Sequence, residues 1–85
     1  MLQVDLNDPD YQIAQFIKVV CRPIGRTTSV QVHRAPVPFA LIEMSSREQT
    51  YELAARFGGS SFGACALVHL EQLAYGQVDV QRAAA

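Results

Sequence analysis

The sequence predicts an α+β domain in which two helices cover one face of a four-stranded antiparallel sheet. Apolar and polar residues alternate in four short segments, which is typical of strands with one buried face. In two other segments apolar residues recur at helical spacing, and capping residues, prolines and glycines separate the segments. At 85 residues the chain is long enough for a single small domain with one modest core.

The first strand and the first helix are predicted from residues 1–25. Residues 1–6 alternate between apolar and polar side chains, which predicts a short strand that starts almost at the first residue. Asp8 is the expected helix cap, with Pro9 where no amide is needed and Asp10 near the positive end of the helix dipole. The helix is expected to end near Pro23 and Gly25. Its apolar stripe consists of Ile13, Phe16, Ile17, Val20 and Ile24.

Two strands are predicted in the middle of the chain. Thr27–Arg34 is rich in β-branched residues and alternates, which favours a strand. The proline-rich residues 35–38 form a short, stiff connection that excludes a regular two-residue hairpin turn. Phe39–Met44 then alternates strictly, so that Phe39 and Leu41 share one face of a third strand.

A second helix and a fourth strand complete the predicted unit. Ser45 at the cap and Glu48 three residues later form a capping-box pattern, and Gly58 stops the helix. A loop is expected over residues 59–63, with Phe62 as a packing residue, and Ala64–Glu71 alternates as the fourth strand. The buried stripe of the helix is expected to contain Thr50, Leu53, Ala54 and Phe57.

The predicted order of elements is strand, helix, strand, strand, helix, strand, which is the ferredoxin-like βαββαβ arrangement. It leaves one face of the sheet open, and function is expected to use that face. The domain is expected to span residues 1–71. Residues 72–85 form a C-terminal extension that either lies back across the sheet or is disordered, and the early start of the first strand is typical of an excised domain or a very compact protein.

An octamer in the third strand resembles the signature of the RNA recognition motif, whose form is Lys/Arg-Gly-Phe/Tyr-Gly/Ala-Phe-Val-x-Phe/Tyr. Here residues 37–44 read Val, Pro, Phe, Ala, Leu, Ile, Glu, Met. The first stacking aromatic of the signature is Phe39, and Leu41 stands at the second aromatic position. The resemblance covers residues 1–71 and includes the order and spacing of the helices and strands, so the chain resembles a degenerate member of this family.

The resemblance implies a non-catalytic module that binds single-stranded RNA weakly on the open sheet face, by stacking and by hydrogen bonds to base edges. The first-strand position that carries an aromatic in the family falls on Gln3. The binding residues expected from the resemblance and from the predicted open face are Phe39, Leu41, Gln3, Gln31, His33 and His69, with Arg26 and Arg34 beside the second strand as phosphate contacts.

The net charge of the chain is also compatible with a protein as the binding partner. The formal net charge is −1, so the chain as a whole does not attract a phosphate backbone. The same apolar sheet face, with Phe39, Leu41 and Leu67, could instead bind another protein or a second copy of the chain. No apolar run is long enough to span a membrane, and the chain does not begin with a basic region followed by an apolar one, so an intracellular location, nuclear or cytoplasmic, is the expectation.

Cysteines and histidines offer little further chemistry, and no cofactor is expected. Cys21 and Cys65 lack the paired spacing of a metal knuckle, are expected to be buried or half-buried thiols, and leave a disulfide open. His33 and His69 could meet on neighbouring strands. A metal site needs three or four convergent ligands, however, and no further ligand is clearly placed beside them.

Overall fold

The computed structural model describes residues 1–74. It is an α+β fold with two helices and a five-stranded mixed sheet. In chain order the elements are β1 (Leu2–Val4), α1 (Asp10–Cys21), β2 (Thr27–His33), β3 (Phe39–Met44), α2 (Arg47–Phe57), β4 (Ser60–Phe62) and β5 (Cys65–Gln72). The predicted extension falls mostly on residues 75–85, outside the described residues.

The four-stranded antiparallel sheet predicted from the sequence is wrong on two points. The strand order is β1-β5-β3-β2, with β4 paired to β5 as a fifth strand. β1 pairs with β5 in parallel, through Leu2 opposite Leu70 and Val4 opposite Gln72. The remaining pairs are antiparallel. The ferredoxin-like strand order is therefore not confirmed.

The additional strand β4 explains the altered order. β3 and β4 both pair antiparallel with β5, so the chain leaves α2 running in the direction of β3. Gly63, which has a φ of 64°, then reverses the chain between Phe62 and Cys65. This left-handed conformation is easily adopted by glycine, since it has no Cβ. After the reversal β5 can pair antiparallel with β3 and lie between β3 and β1.

The core lies between the helices and the inward face of the sheet. Both helices and three of the strands, β1, β3 and β5, contribute to one cluster of buried apolar side chains. The strand members of this cluster are Leu2, Val4, Ala40, Ile42, Met44, Ala66, Val68 and Leu70; the helix members are Ile13, Ile17, Cys21, Leu53 and Ala54. Alternate residues of β3 and β5 are thus buried, as the sequence pattern predicts.

The helix α1 differs from its prediction at the cap and along its stripe. Pro9, not Asp8, occupies the cap position, and no side chain caps the helix. The buried residues are Ile13, Ile17 and Cys21, which are spaced four apart. Phe16 was expected in the stripe but is 45% exposed. Residues four apart lie nearly in line along a helix, so Ile13, Ile17 and Cys21 form a narrow buried side. Phe16 lies beside this buried side and not on it.

The helix α2 begins one residue later than predicted. Ser46 is the cap, and its hydroxyl accepts a hydrogen bond from the backbone N–H of Gln49 at 3.2 Å. The capping pair is therefore Ser46 with Gln49, while the Ser45 hydroxyl donates to Gln49 Oε1 at 2.6 Å. The predicted end is confirmed, since Gly58 adopts a φ of 67° and closes the helix.

The two thiols differ in accessibility and are free. Cys21 is buried in α1 and Cys65 is half-buried in β5, so the predicted burial is confirmed. Burial raises the pKa of the Cys21 thiol, because the thiolate loses its hydration.

We expect iodoacetamide at mildly alkaline pH to modify Cys65 well before Cys21, since the reactive species is the thiolate and Cys21 is both enclosed and held neutral. Mass spectrometry of peptides at successive times measures the two rates. In urea, as a control, both cysteines should react at similar rates. Faster modification of Cys21 in the folded protein would contradict this prediction.

Candidate functional site

The open face of the sheet is the side opposite the helices. Residues opposite each other on paired strands point to the same side, so the register divides this face into rows. One row contains His33, Phe39 and His69, on β2, β3 and β5. The next contains Gln31, Leu41, Leu67 and Ser60, and the third contains Ser29, Glu43, Cys65 and Phe62.

The row of His33, Phe39 and His69, called here the ring row, places three flat rings on adjacent strands. The rings of His33 and Phe39 are stacked, with centroids 4.8 Å apart and planes 11° from parallel. This separation matches the spacing of neighbouring strands. His33 and His69 are exposed, and Phe39 between them is half-buried.

His33 and His69 do not meet in the structure, although the sequence left that contact open. β3 lies between β2 and β5, so Phe39 separates His33 from His69. Among residues 1–74 no group of three or more potential ligands converges on a point that could hold a metal ion.

The second row gives the open face an apolar strip. Leu41 and Leu67 lie opposite each other and are half-buried. Gln31 lies exposed beside Leu41, where its amide can donate and accept hydrogen bonds. In the third row Phe62 is 62% exposed, so its expected packing role is wrong. The β4 strand directs the Phe62 ring away from the core.

Gln3 lies apart from the other predicted binding residues. β5 separates β1 from β3, so Gln3 is not adjacent to Phe39 or Leu41. It pairs with Glu71 in the sheet, and its side-chain amide donates to Glu71 Oε1 at 3.0 Å. Gln3 thus lies on the edge strand β1, apart from the ring row.

The two predicted phosphate contacts have different environments. The Arg34 guanidinium forms an ion pair with Asp10 at 2.8 Å and donates hydrogen bonds to the backbone oxygens of Leu6 and Asp8. The Arg34 side chain therefore links the residues after β2 to the segment between β1 and α1. Arg26 is exposed and lies at the opposite end of β2, where its backbone oxygen accepts from the N–H of Ser45.

The charges on the open face are acidic. Glu43 accepts a hydrogen bond from the Thr28 hydroxyl at 3.0 Å, and Glu71 accepts from Gln3. The three rows contain no lysine or arginine. Any polyanion on this face would depend on cations outside the rows.

Sequence reasoning did not identify a groove between the end of α1 and the start of β2. Its lining residues are Lys18, Arg22, Gly25, Arg26 and Thr27. The signal was present in the sequence, since Lys18, Arg22 and Arg26 are spaced four apart. We call this feature the cationic groove.

No protein-family model, no curated protein and no solved structure matches this chain. Within residues 1–74 no helix is both long enough and apolar enough to cross a membrane.

Proposed function

We propose that the domain is a non-catalytic module that binds single-stranded RNA weakly through the open face of its sheet. The ring row is the observation that carries the proposal. Bases stack on aromatic and histidine rings, and a row of rings on adjacent strands, two of them exposed and one half-buried, suits unpaired bases. The resemblance of residues 37–44 to the RNA recognition motif supports the same function, and membership of that family stays a prediction.

The residues beside the ring row support the same function. Leu41 and Leu67 provide an apolar surface against which a base can pack, and Gln31 offers an amide to a base edge. Glu43 and Glu71 each accept a hydrogen bond from a neighbouring side chain. Their remaining negative charge and the absence of cations from the rows account for an affinity that we expect to be weak.

Replacement of Phe39 by alanine is expected to weaken binding of a short single-stranded RNA by between about 5-fold and 150-fold, because one stacking contact contributes about 1–3 kcal/mol. The measurement is an amide NMR titration with a pool of short RNAs. In the wild-type protein the shifts should cluster at residues 31–33, 39–41 and 67–69. Tyr51→Ala, which removes an exposed ring on α2, is the matched control and should bind normally.

Two results would contradict the proposal. One is the absence of shifts on the open face when RNA is added to the folded protein. The other is an equal affinity of wild-type protein and Phe39→Ala for RNA.

A protein partner or a second copy of the chain is the alternative occupant. The half-buried Leu41 and Leu67 of the second row and the exposed Phe62 of the third row together form an apolar surface across β3, β5 and β4. Such an apolar surface is typical of protein interfaces. The affinity gained by burying it would depend little on salt concentration, because apolar contacts are not screened by ions. Shifts of the same amides on raising the protein concentration without RNA would favour a homodimer through this face.

A further inference from the structure

The cationic groove collects half of the basic side chains that the structure describes. Lysine and arginine occur at six positions within residues 1–74, and three of them, Lys18, Arg22 and Arg26, line this one groove. No carboxylate is among its lining residues. The groove is therefore a local concentration of positive charge in a chain whose net charge is −1.

These three cations have no acidic partner among residues 1–74. The ion pairs of the described chain join Arg34 to Asp10 and Arg56 to Glu52. Asp10 lies at the other end of α1, eight residues and about 12 Å of helix away from Lys18. The side chain that lies against Gly25 from α2 is that of Gln49, which is neutral.

Helix stability does not account for all three charges. Cations near a helix C-terminus interact favourably with the helix dipole, which explains Lys18 and Arg22. Like charges four residues apart oppose helix formation slightly, however. Arg26 lies beyond the end of α1 at Cys21, directly before β2, where the helix dipole has little effect. An anionic ligand in the groove would be attracted by all three.

We infer that the cationic groove binds the phosphate backbone of the RNA whose bases stack on the ring row. This inference rests on the proposed function and adds the site of charge neutralisation that the open face lacks. Guanidinium groups bind phosphate oxygens in a bidentate manner, and Arg22 and Arg26 are both exposed. The groove opens on the helix side of the sheet, where Thr27 pairs with the buried Met44, and the ring row lies on the open side. β2 is an edge strand of the sheet, so an RNA that occupies both sites passes around this edge.

The length of β2 gives the inference a geometric consequence. Six residue steps separate Thr27 from His33, which corresponds to roughly 20 Å along the strand. A dinucleotide stacked on the ring row is too short to reach the groove, whereas a decanucleotide can occupy both sites. The groove should therefore contribute to binding of the longer RNA only.

The test compares two double variants that lose the same charge. Arg22→Gln with Arg26→Gln removes two cations from the groove, and Arg47→Gln with Arg56→Gln removes two from α2. For single-stranded nucleic acid, log K falls with log salt with a slope of about −0.7 per phosphate contacted. Loss of two contacts should make the slope for the decanucleotide shallower by about 1.4 in the groove variant and leave it unchanged in the α2 variant. Dinucleotide binding should be equal in both.

The results for the double variants and for Phe39→Ala test the groove and the ring row separately. Equal decanucleotide slopes in the two double variants would overturn the role of the groove, even where Phe39→Ala still weakens binding. A shallower slope in the groove variant together with normal binding by Phe39→Ala would keep the groove as a phosphate-binding site and overturn the ring row as the place where the bases stack. If the wild-type protein binds neither RNA, both proposals are overturned together.

Discussion

Replacement of Leu53 by alanine is expected to destabilise the domain by about 2–5 kcal/mol, the range for removing a fully buried leucine side chain. Leu53 is 0% exposed and lies on α2 among the core residues that face the sheet. A domain of this size has a free energy of unfolding of roughly 4–13 kcal/mol. The single substitution therefore removes a large part of the stability and, at the lower end of that range, leaves much of the protein unfolded.

Urea unfolding followed by circular dichroism measures this loss as a lower midpoint. Tyr51→Ala is a matched control on the same helix, since Tyr51 is 71% exposed and its removal leaves no internal cavity. The free energy of unfolding of the control should stay within about 0.5 kcal/mol of wild type. Similar midpoints for the two variants would show that α2 does not pack against the sheet through Leu53.

The second large effect is expected from Gly59, where α2 passes into the β4–β5 hairpin. A Cβ atom at this position would collide with the backbone oxygen of Leu67 and would lie 3.1 Å from Val68 Cγ2. Because the Leu67 oxygen belongs to a strand backbone, it cannot rotate away as a side chain could. We expect Gly59→Ala to cost about 1–3 kcal/mol or more, as overpacking of a closely packed site does.

The control for Gly59→Ala is Gly63→Asn in the turn of the same hairpin. No atom lies within 4 Å of a Cβ built on Gly63, so the site has space, and asparagine tolerates its positive φ better than most residues. Gly63→Asn should therefore unfold at nearly the wild-type urea concentration. If both glycine variants lose the same stability, the close approach of Gly59 to β5 is not what requires glycine there.

Local patterns predicted the faces of the strands well. The alternation of β3 correctly separates Phe39 and Leu41 from the buried Ala40 and Ile42, because successive side chains of a strand point to opposite sides. The Gly58 stop of α2 was likewise predicted, since glycine adopts the left-handed conformation at low cost. Both features depend on neighbouring residues only.

The candidate site was predicted in part. His33, Phe39 and His69 were each assigned to the open face, but their alignment in one row depends on the pairing of β3 with both β2 and β5. Gln3 was assigned to the same site and lies at the far side of β5. Arg34 was assigned to phosphate binding, yet the structure engages it with Asp10 and two backbone oxygens.

The α+β class, the two helices and the core-facing side of the main strands follow from periodicity and capping, which are properties of residues close together in the chain. The position of β5 between β1 and β3, and with it the composition of the ring row, depends on contacts between segments far apart in the chain. Strand neighbours are chosen by backbone hydrogen bonds and packing between distant segments. Because the chain reverses at Gly63, the strands beside β5 differ from those predicted, while the alternation of buried and exposed residues along β5 is as predicted.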